Sequence, residues 1–314
     1  MRIVEEEKLR DLIKEPEALE SAERAFRALG EGSVEQPPPM ALDVAPVRGE
    51  VHVKGAYLKG SKIFAIKVAS GFYGNSDKNL PTGSGLVLVF DADTGFPLAL
   101  LRDNAYLTDL RTAAAGALAA RLLAPKSVGR VAMLGSGVQA RYQLRAIARV
   151  CEFERVDVWS PHRDRVEAYC QEMQGELGKS VSSADTPEQA LQGAQLVVTC
   201  TPSREPLVET SWLEPDATVI AVGSDGPDKQ ELAAEAVAKA DKVVADRLSQ
   251  CVRLGEIHHA VEAGLFKEEA LHAELGEVLI GRKAGREGKE LIVCDLTGVG
   301  AQDAAIAEVA WERC

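Results

Sequence analysis

Between an apolar run and a helix-forming stretch, the segment VAMLGSGVQA sets Gly135-Ser136-Gly137-Val138-Gln139-Ala140 in a G-x-G-x-x-A spacing. Glycine at the first two positions leaves backbone amides bare at a helix start, where they can hold a pyrophosphate. The setting between strand and helix makes this informative, since an isolated glycine turn says little. Gly135, Gly137, Val138 and Gln139 are therefore candidate cofactor contacts. The next apolar run ends in VDVWSPHRDR, with Ser160 where a site selective for NAD usually sets an acidic side chain against the ribose 2′-hydroxyl. His162, Arg163 and Arg165 follow closely, so hydroxyl and guanidinium donors can meet a 2′-phosphate, and NADP(H) is expected in preference to NAD(H). The competing reading is a solvated helix start with basic side chains.

Other chemistry-bearing residues say less alone. Lys67 in AIKVAS reads, unaided, as a strand lysine that snorkels to solvent, and Asp225 in GSDGPDKQEL as part of a turn. His258 and His259 are adjacent on a helix and point to different faces, with no third His or Cys at ligand spacing, so no metal centre is expected. The cysteines, at 151, 170, 200, 251, 294 and 314, lack C-x-x-C spacing and read as small buried hydrophobes under reducing conditions.

The elements that must position these residues fall into two patterns. Residues 5–30 carry apolar positions at helical spacing and stop at Gly30 and Gly32, giving two short helices before Pro37-Pro38-Pro39. VHVKGAYL, IFAIKVAS, GLVLVF and PLALL, separated by turn signals, predict an antiparallel meander from Val51 to Leu101. LTDLRTAAAGALAARLLA predicts a linking helix that Thr108 or Asp109 can cap. From Gly129 the rhythm alternates strand and helix, the mark of βαβ units. The expected fold is α/β: a Rossmann-type doubly wound parallel sheet over residues 116–297, plus a smaller α+β substrate-binding and dimerisation domain over 1–115 with 298–314. The last segment, QDAAIAEVAWERC, is a helix that must pack on the first domain or on a partner subunit.

A chain of 314 residues exceeds the usual single core. The formal charge of −12 and the absence of clustered Lys and Arg exclude a polyanion-binding surface, so nucleic acid is not expected as a partner. No apolar run approaches the roughly 18 residues of a membrane helix, and the N-terminus lacks the marks of a signal or transit peptide. A cytoplasmic protein without membrane association is expected.

AIKVASGFYGN, LPTGSGLVLVFDADTG, DNAYLTDLRTAAAGALAARLLA, LGSGVQARYQL, AVGSDGPDKQEL, VADRLSQ, LGEIHHA and CDLTGVGAQDAAIAEVA, in this order, resemble the ornithine cyclodeaminase/mu-crystallin family from about Leu9 to the C-terminus. GEVHVKGAY, VADRLSQ and VCDLTG are most similar to the cyclodeaminase-like branch of ectoine-utilisation clusters. The resemblance implies that Lys67 meets the substrate carboxylate or imine and that Asp225 is the acid/base group at the reacting carbon. It implies that Arg111 and Thr112, at the start of the linking helix, hold cofactor phosphate, as a helix N-terminus can. Thr82, Thr201, Val222, Gly223, Lys229 and Leu296 match further cofactor positions, and Thr297 a substrate position.

Two departures stand out. The family commonly has an arginine after Gln-Pro in the N-terminal segment, where it forks onto the substrate α-carboxylate, but this chain has Gln36-Pro37-Pro38-Pro39-Met40-Ala41, so either Arg48 takes over or the substrate is held differently. Leu296 stands where many relatives carry serine. The implied reaction is hydride exchange between a nicotinamide and the α-carbon of an amino acid or its imine, with a keto acid as a related partner. The resemblance leaves two other activities open: a cyclodeaminase that recycles NAD internally, and a non-enzymatic binder of NADPH and small ligands of the mu-crystallin kind. A first-domain sheet too small to bury both faces, and the pairing of such sheets in relatives, imply a homodimer.

Overall fold

The computed structural model describes residues 1–314. In chain order its elements are β1 (Arg2–Glu5), α1 (Glu6–Leu12), α2 (Glu15–Gly30), β2 (Val34–Glu35), β3 (Met40–Val44), β4 (Gly49–Leu58), β5 (Ile63–Phe72), β6 (Gly83–Asp91), β7 (Pro97–Arg102) and α3 (Tyr106–Leu123). The strand and helix alternation follows: β8 (Val128–Leu134), α4 (Val138–Ala148), β9 (Phe153–Trp159), α5 (Arg163–Leu177), β10 (Ser180–Ser183), α6 (Pro187–Leu191), β11 (Leu196–Thr199) and β12 (Thr218–Ala221). It continues with α7 (Ala234–Ala238), β13 (Lys242–Ala245), α8 (Leu248–Cys251), α9 (Glu256–Glu262), β14 (Ala273–Glu274), α10 (Leu275–Leu279), β15 (Ile292–Asp295) and α11 (Gly300–Arg313). The chain forms two compact units, Met1–Arg111 with Val299–Cys314, and Thr112–Gly298.

The first unit is a sheet in the order β1-β7-β6-β5-β4-β2, with β3 also on β4. Pairing from β4 to β7 is antiparallel, as the alternating sequence predicts. β1 is an addition: RIVE is too short to display a period, and it forms by pairing in parallel along the edge strand β7. In α2 the buried Ala18, Ala22, Ala25, Phe26 and Leu29 make one helical stripe. α11 packs on α2, β4, β5 and β6 and is buried along most of its length. Its first residue, Gly300, comes so close to β4 that a Cβ would lie 2.6 Å from the Gly55 carbonyl oxygen. Ile63, Ala65, Val87, Val89, Ala99 and Leu101 fill the sheet face under these helices. The opposite face carries Phe64, Ile66, Val68, Leu86, Leu88, Phe90, Leu98 and Leu100, all half-buried, with Phe64 and Phe90 stacked at 4.9 Å.

Helix α3 starts differently from the sequence expectation. Thr108 and Asp109 lie inside it, and the carboxylate that accepts a first-turn amide is Asp103, from Leu107 at 3.0 Å. Asn104 and Ala105 hold positive φ to make this entry. With the start at Tyr106, Arg111 and Thr112 fall in the second turn, where amides belong to the helix ladder. A phosphate site made by the helix N-terminus at these two residues is thereby corrected; only their side chains could serve a ligand.

The second unit holds eight parallel strands in the order β10-β9-β8-β11-β12-β15-β13-β14. Its central strands are buried along their whole length, as expected where helices cover both faces. From β8 the chain winds outward through β9 and β10, then returns to β11 on the other side of β8. That reversal is the topological switch point, where open α/β sheets form their ligand crevice at the carboxyl ends of the strands.

Candidate active site

The glycine-rich turn lies at this switch point. Gly135 has φ +121°, and a Cβ there would meet the Cys200 carbonyl oxygen at 3.0 Å, so folding alone requires glycine. Gly137 is different: its backbone is extended at φ −82°, and a Cβ would meet nothing within 4 Å. Packing does not explain its missing side chain, whereas close approach of a phosphate to the backbone does. No side chain caps α4, its first turn has no acidic residue, and Arg141 donates from behind to the Ser136 and Gly137 carbonyls. Ala140, at the third motif position, is fully buried, giving the close helix-to-sheet packing that the motif requires. These residues fit a dinucleotide pyrophosphate, with Val138 exposed at the helix start and Gln139 bonded to Gln143.

At the end of β9, Ser160 is half-buried and His162, Arg163 and Arg165 are exposed. Arg163 is paired with Asp185, and the His162 amide makes a long contact of 3.5 Å to the Ser160 hydroxyl. The basic residues therefore follow Ser160 on the exposed start of α5, one of them paired with a carboxylate.

The loops after β11 and β12 are tied by a residue that sequence reasoning overlooked. Glu231 accepts at Oε1 from the amide and hydroxyl of Thr201, and at Oε2 from the Thr199 hydroxyl and the Gly223 amide, at 2.6–2.8 Å. A Cβ on Gly223 would stand 2.2 Å from the Thr201 carbonyl oxygen, so this glycine is essential to the closure. Burial pushes the Glu231 carboxyl up to about 7 despite these donors. Glu256 in turn accepts the Glu231 and Leu232 amides, and Asp295 accepts the Ile257 amide; burial raises both carboxyls well above the ordinary range. Val222 is buried beside this network.

Asp225 lies in the loop after β12, paired with Lys229 Nζ at 2.6 Å, its side chain 37% exposed. Asp225 is thus partly open to solvent, with the Lys229 ammonium against its carboxylate. Lys229, expected at the cofactor, is the cation of this pair. Thr297 is buried, with its hydroxyl donating to Asp246 and accepting from Gln250, and Leu296 is buried as well. His258 and His259 hold the backbone carbonyls of Val252 and Lys229, and their ring nitrogens and the Glu262 carboxylate lie within 4.8 Å of one another.

The first unit contains a second cluster. Lys67 Nζ lies 3.3 Å from Asp303 Oδ2, and Arg111 Nε lies 3.0 Å from Asp303 Oδ1. Lys67, Arg111 and Asp303 are all nearly water-free, correcting the reading of Lys67 as a snorkelling lysine. Burial, reinforced by Arg111 and Lys54, lowers the Lys67 ammonium to about 7 against the pull of Asp303. For Asp303, burial is outweighed by Arg111 and Lys67, which hold its carboxyl below the usual value. Burial raises the Asp103 carboxyl nearby. Arg48 is in left-handed conformation and forms an exposed pair with Asp77, and Thr82 is exposed in a loop. Asp303, Lys54 and Asp103 went unrecognised because no local pattern marks them; Asp303 was visible only as part of GVGAQD.

A glycine-rich turn at the switch point of a doubly wound parallel sheet defines a dinucleotide-binding fold of Rossmann type. The chain belongs to the ornithine cyclodeaminase/mu-crystallin family, whose model matches residues 2–314. It is 44% identical to an uncharacterised cyclodeaminase of Sinorhizobium fredii, over 100% of this chain and 96% of that protein. Among solved structures it is similar to an archaeal alanine dehydrogenase dimer with bound NAD, at 36% identity and a TM-score of 0.93, covering 100% of this chain and 95% of that one. It is also similar to the Δ1-pyrroline-2-carboxylate reductase of Thermococcus litoralis in complex with NADH and L-proline, at 31% identity and a TM-score of 0.95, covering 100% and 97%. No helix is long and apolar enough to cross a membrane.

Proposed function

We propose that the protein is an NAD(P)(H)-dependent oxidoreductase acting on the carbon–nitrogen centre of an α-amino acid or its imine, as an amino-acid dehydrogenase or imine reductase. The observation that carries this reading is Lys67: a water-excluded lysine with a proton affinity near neutrality, held by Asp303 beside Arg111. Such a group can bind a carboxylate or polarise an imine when charged and accept a proton when neutral. The similarity to an alanine dehydrogenase and a pyrroline-carboxylate reductase supports the same class.

In this proposal the nicotinamide supplies the hydride when bound. Gly135, Gly137 and the uncapped start of α4 hold the pyrophosphate, and Thr201, Val222 and Gly223 shape the loops that Glu231 locks. Asp225, paired with Lys229, moves protons to and from nitrogen. Ser160, in place of a carboxylate, supports NADP(H) as the preferred form, while the NAD(H) of the two solved relatives and the Arg163–Asp185 pair support the alternative. Comparison of kcat/KM with both dinucleotides decides this point.

The test is absorbance at 340 nm with a panel of amino acids, and of keto acids and imines with ammonia, using both dinucleotides. Stoichiometric change in nicotinamide supports the proposal. Ammonia release without net absorbance change would instead make the protein a cyclodeaminase, and ligand binding without either would make it a binder. Lys67, Arg111 and Asp225 retained together favour the enzyme.

A further inference from the structure

Lys54 on β4 stands directly opposite Lys67 on β5, so both side chains leave the same face of the sheet. They are 4% and 2% exposed. Like charges directly opposed across a ladder destabilise it, and buried charge is costly without compensation. Arg111, also buried, adds a third cation, and both it and Lys54 depress the Lys67 ammonium. The opposing carboxylate is Asp303, whose Oδ1 faces Arg111 and whose Oδ2 faces Lys67. Asp103 is the second carboxyl nearby; burial raises it and its Oδ2 accepts the Leu107 amide, so three cations face two carboxyls. The cluster thus gathers more positive than negative charge in a place from which water is excluded, which is the composition of an anion site.

The segment in which the family's arginine is expected holds Gln36, Met40 and, further on, Arg48. Gln36 accepts from the Ala301 amide, Met40 is 61% exposed on β3, and Arg48 is bound to Asp77. We propose that Lys54 receives the substrate carboxylate in place of that arginine, with Lys67 and Arg111 completing the anion subsite. The proposal rests on the oxidoreductase reading and adds a binding residue to it. An ammonium acts as a point charge and cannot fork onto both carboxylate oxygens, so the orientation of the substrate falls to the Arg111 guanidinium.

The experiment compares full-length Lys54→Met and Lys54→Arg with the unaltered protein in the presence of dinucleotide. Loss of a buried charge-assisted contact is expected to raise KM for the amino or imino acid about tenfold to a hundredfold in Lys54→Met. Dinucleotide affinity, followed by nicotinamide fluorescence, stays unchanged. The pH limb governed by Lys67 moves upward in Lys54→Met, because a like charge is removed, and stays in place in Lys54→Arg; a purely structural role would lower Tm without moving it. An unchanged KM and an unchanged limb in Lys54→Met overturn the proposal. If the unaltered protein turns over no substrate, the oxidoreductase reading fails by itself, and calorimetric binding of oxalate to the dinucleotide complex decides the subsite. Oxalate binding lost in Lys54→Met supports it; equal binding by both proteins, or none by the unaltered one, overturns it. Lys54→Gln is measured in the same way if the methionine variant does not fold.

Discussion

Lys67 and Asp303 form an ion pair at 3.3 Å with side chains only 3% and 2% exposed. Each depends on the other for its charge, because burial drives both towards their neutral forms and the pair opposes that drive. With the lysine lowered to about 7, its ammonium is present below that pH and lost above it. Reduction of an imine, which calls for the charged form, should therefore slow as pH rises through about 7, and amine oxidation should accelerate over the same range. Asp303→Asn removes the influence that raises the lysine, so the limb should move to lower pH. Rate profiles in both directions check this; an unmoved limb in a folded Asp303→Asn protein would assign it to another group.

Glu231 gives a different kind of dependence, through the loops it ties. Both of its oxygens face a backbone N–H, from Thr201 and Gly223, so the amide of Glu231→Gln must turn its NH2 against one of them. A buried donor left without an acceptor costs about 1–3 kcal/mol, and the variant should lose Tm and dinucleotide affinity together. The carboxyl of Glu231 is raised from 4.5 to about 7, so the stability it contributes is complete below 4.5 and lost as pH rises through 7. The variant should consequently lie further below the unaltered protein at pH 5 than at pH 8. Urea melts at the two values measure it, and a deficit that grows with pH would contradict the placement.

The sequence disclosed the parallel sheet and its glycine turn because these are local: apolar runs of strand length, helices between them, and Gly135 at a positive φ. The meander was equally legible from alternation along β4 to β7. β1 was not, since four residues display no period and the strand exists only through its pairing with β7. The same limit hid the chemistry. Asp303 lies more than two hundred residues from Lys67 in sequence, and Glu231 joins Thr201 and Gly223 across separate loops. Thr108 and Asp109 offer themselves as caps in the sequence because several residues before an Ala-rich helix can cap it, and only the backbone turn at Asn104 and Ala105 selects Asp103.

Asp225 is the group we assign to proton transfer at nitrogen, and its geometry allows a clean separation of binding from chemistry. It pairs with Lys229 on the same loop and is 37% exposed, so asparagine can take its place with little disturbance of the fold. Asp225→Asn should reduce kcat by about 10²–10⁴-fold while dinucleotide affinity and Tm stay close to those of the unaltered protein. Retained turnover would remove Asp225 from the mechanism; loss of dinucleotide binding would give it a positioning role instead.

The half-buried face of the first sheet supplies the argument for a homodimer. Phe64, Ile66, Leu88, Phe90 and Leu100 lie together on it through the registers Ile66 with Leu88 and Leu88 with Leu100. We propose that this apolar surface is the contact with a second copy of the chain, since a two-fold pairing satisfies both copies at once. The archaeal alanine dehydrogenase to which this chain is similar is a dimer. Leu88→Lys places a charge at the centre of the face while leaving the opposite, helix-covered face untouched. The variant should sediment as a monomer where the unaltered protein sediments as a dimer, with the dinucleotide turn at Gly135 and Gly137 still competent to bind. A dimer that survives Leu88→Lys would move the interface elsewhere, and an unaltered protein that is monomeric at micromolar concentration would remove it.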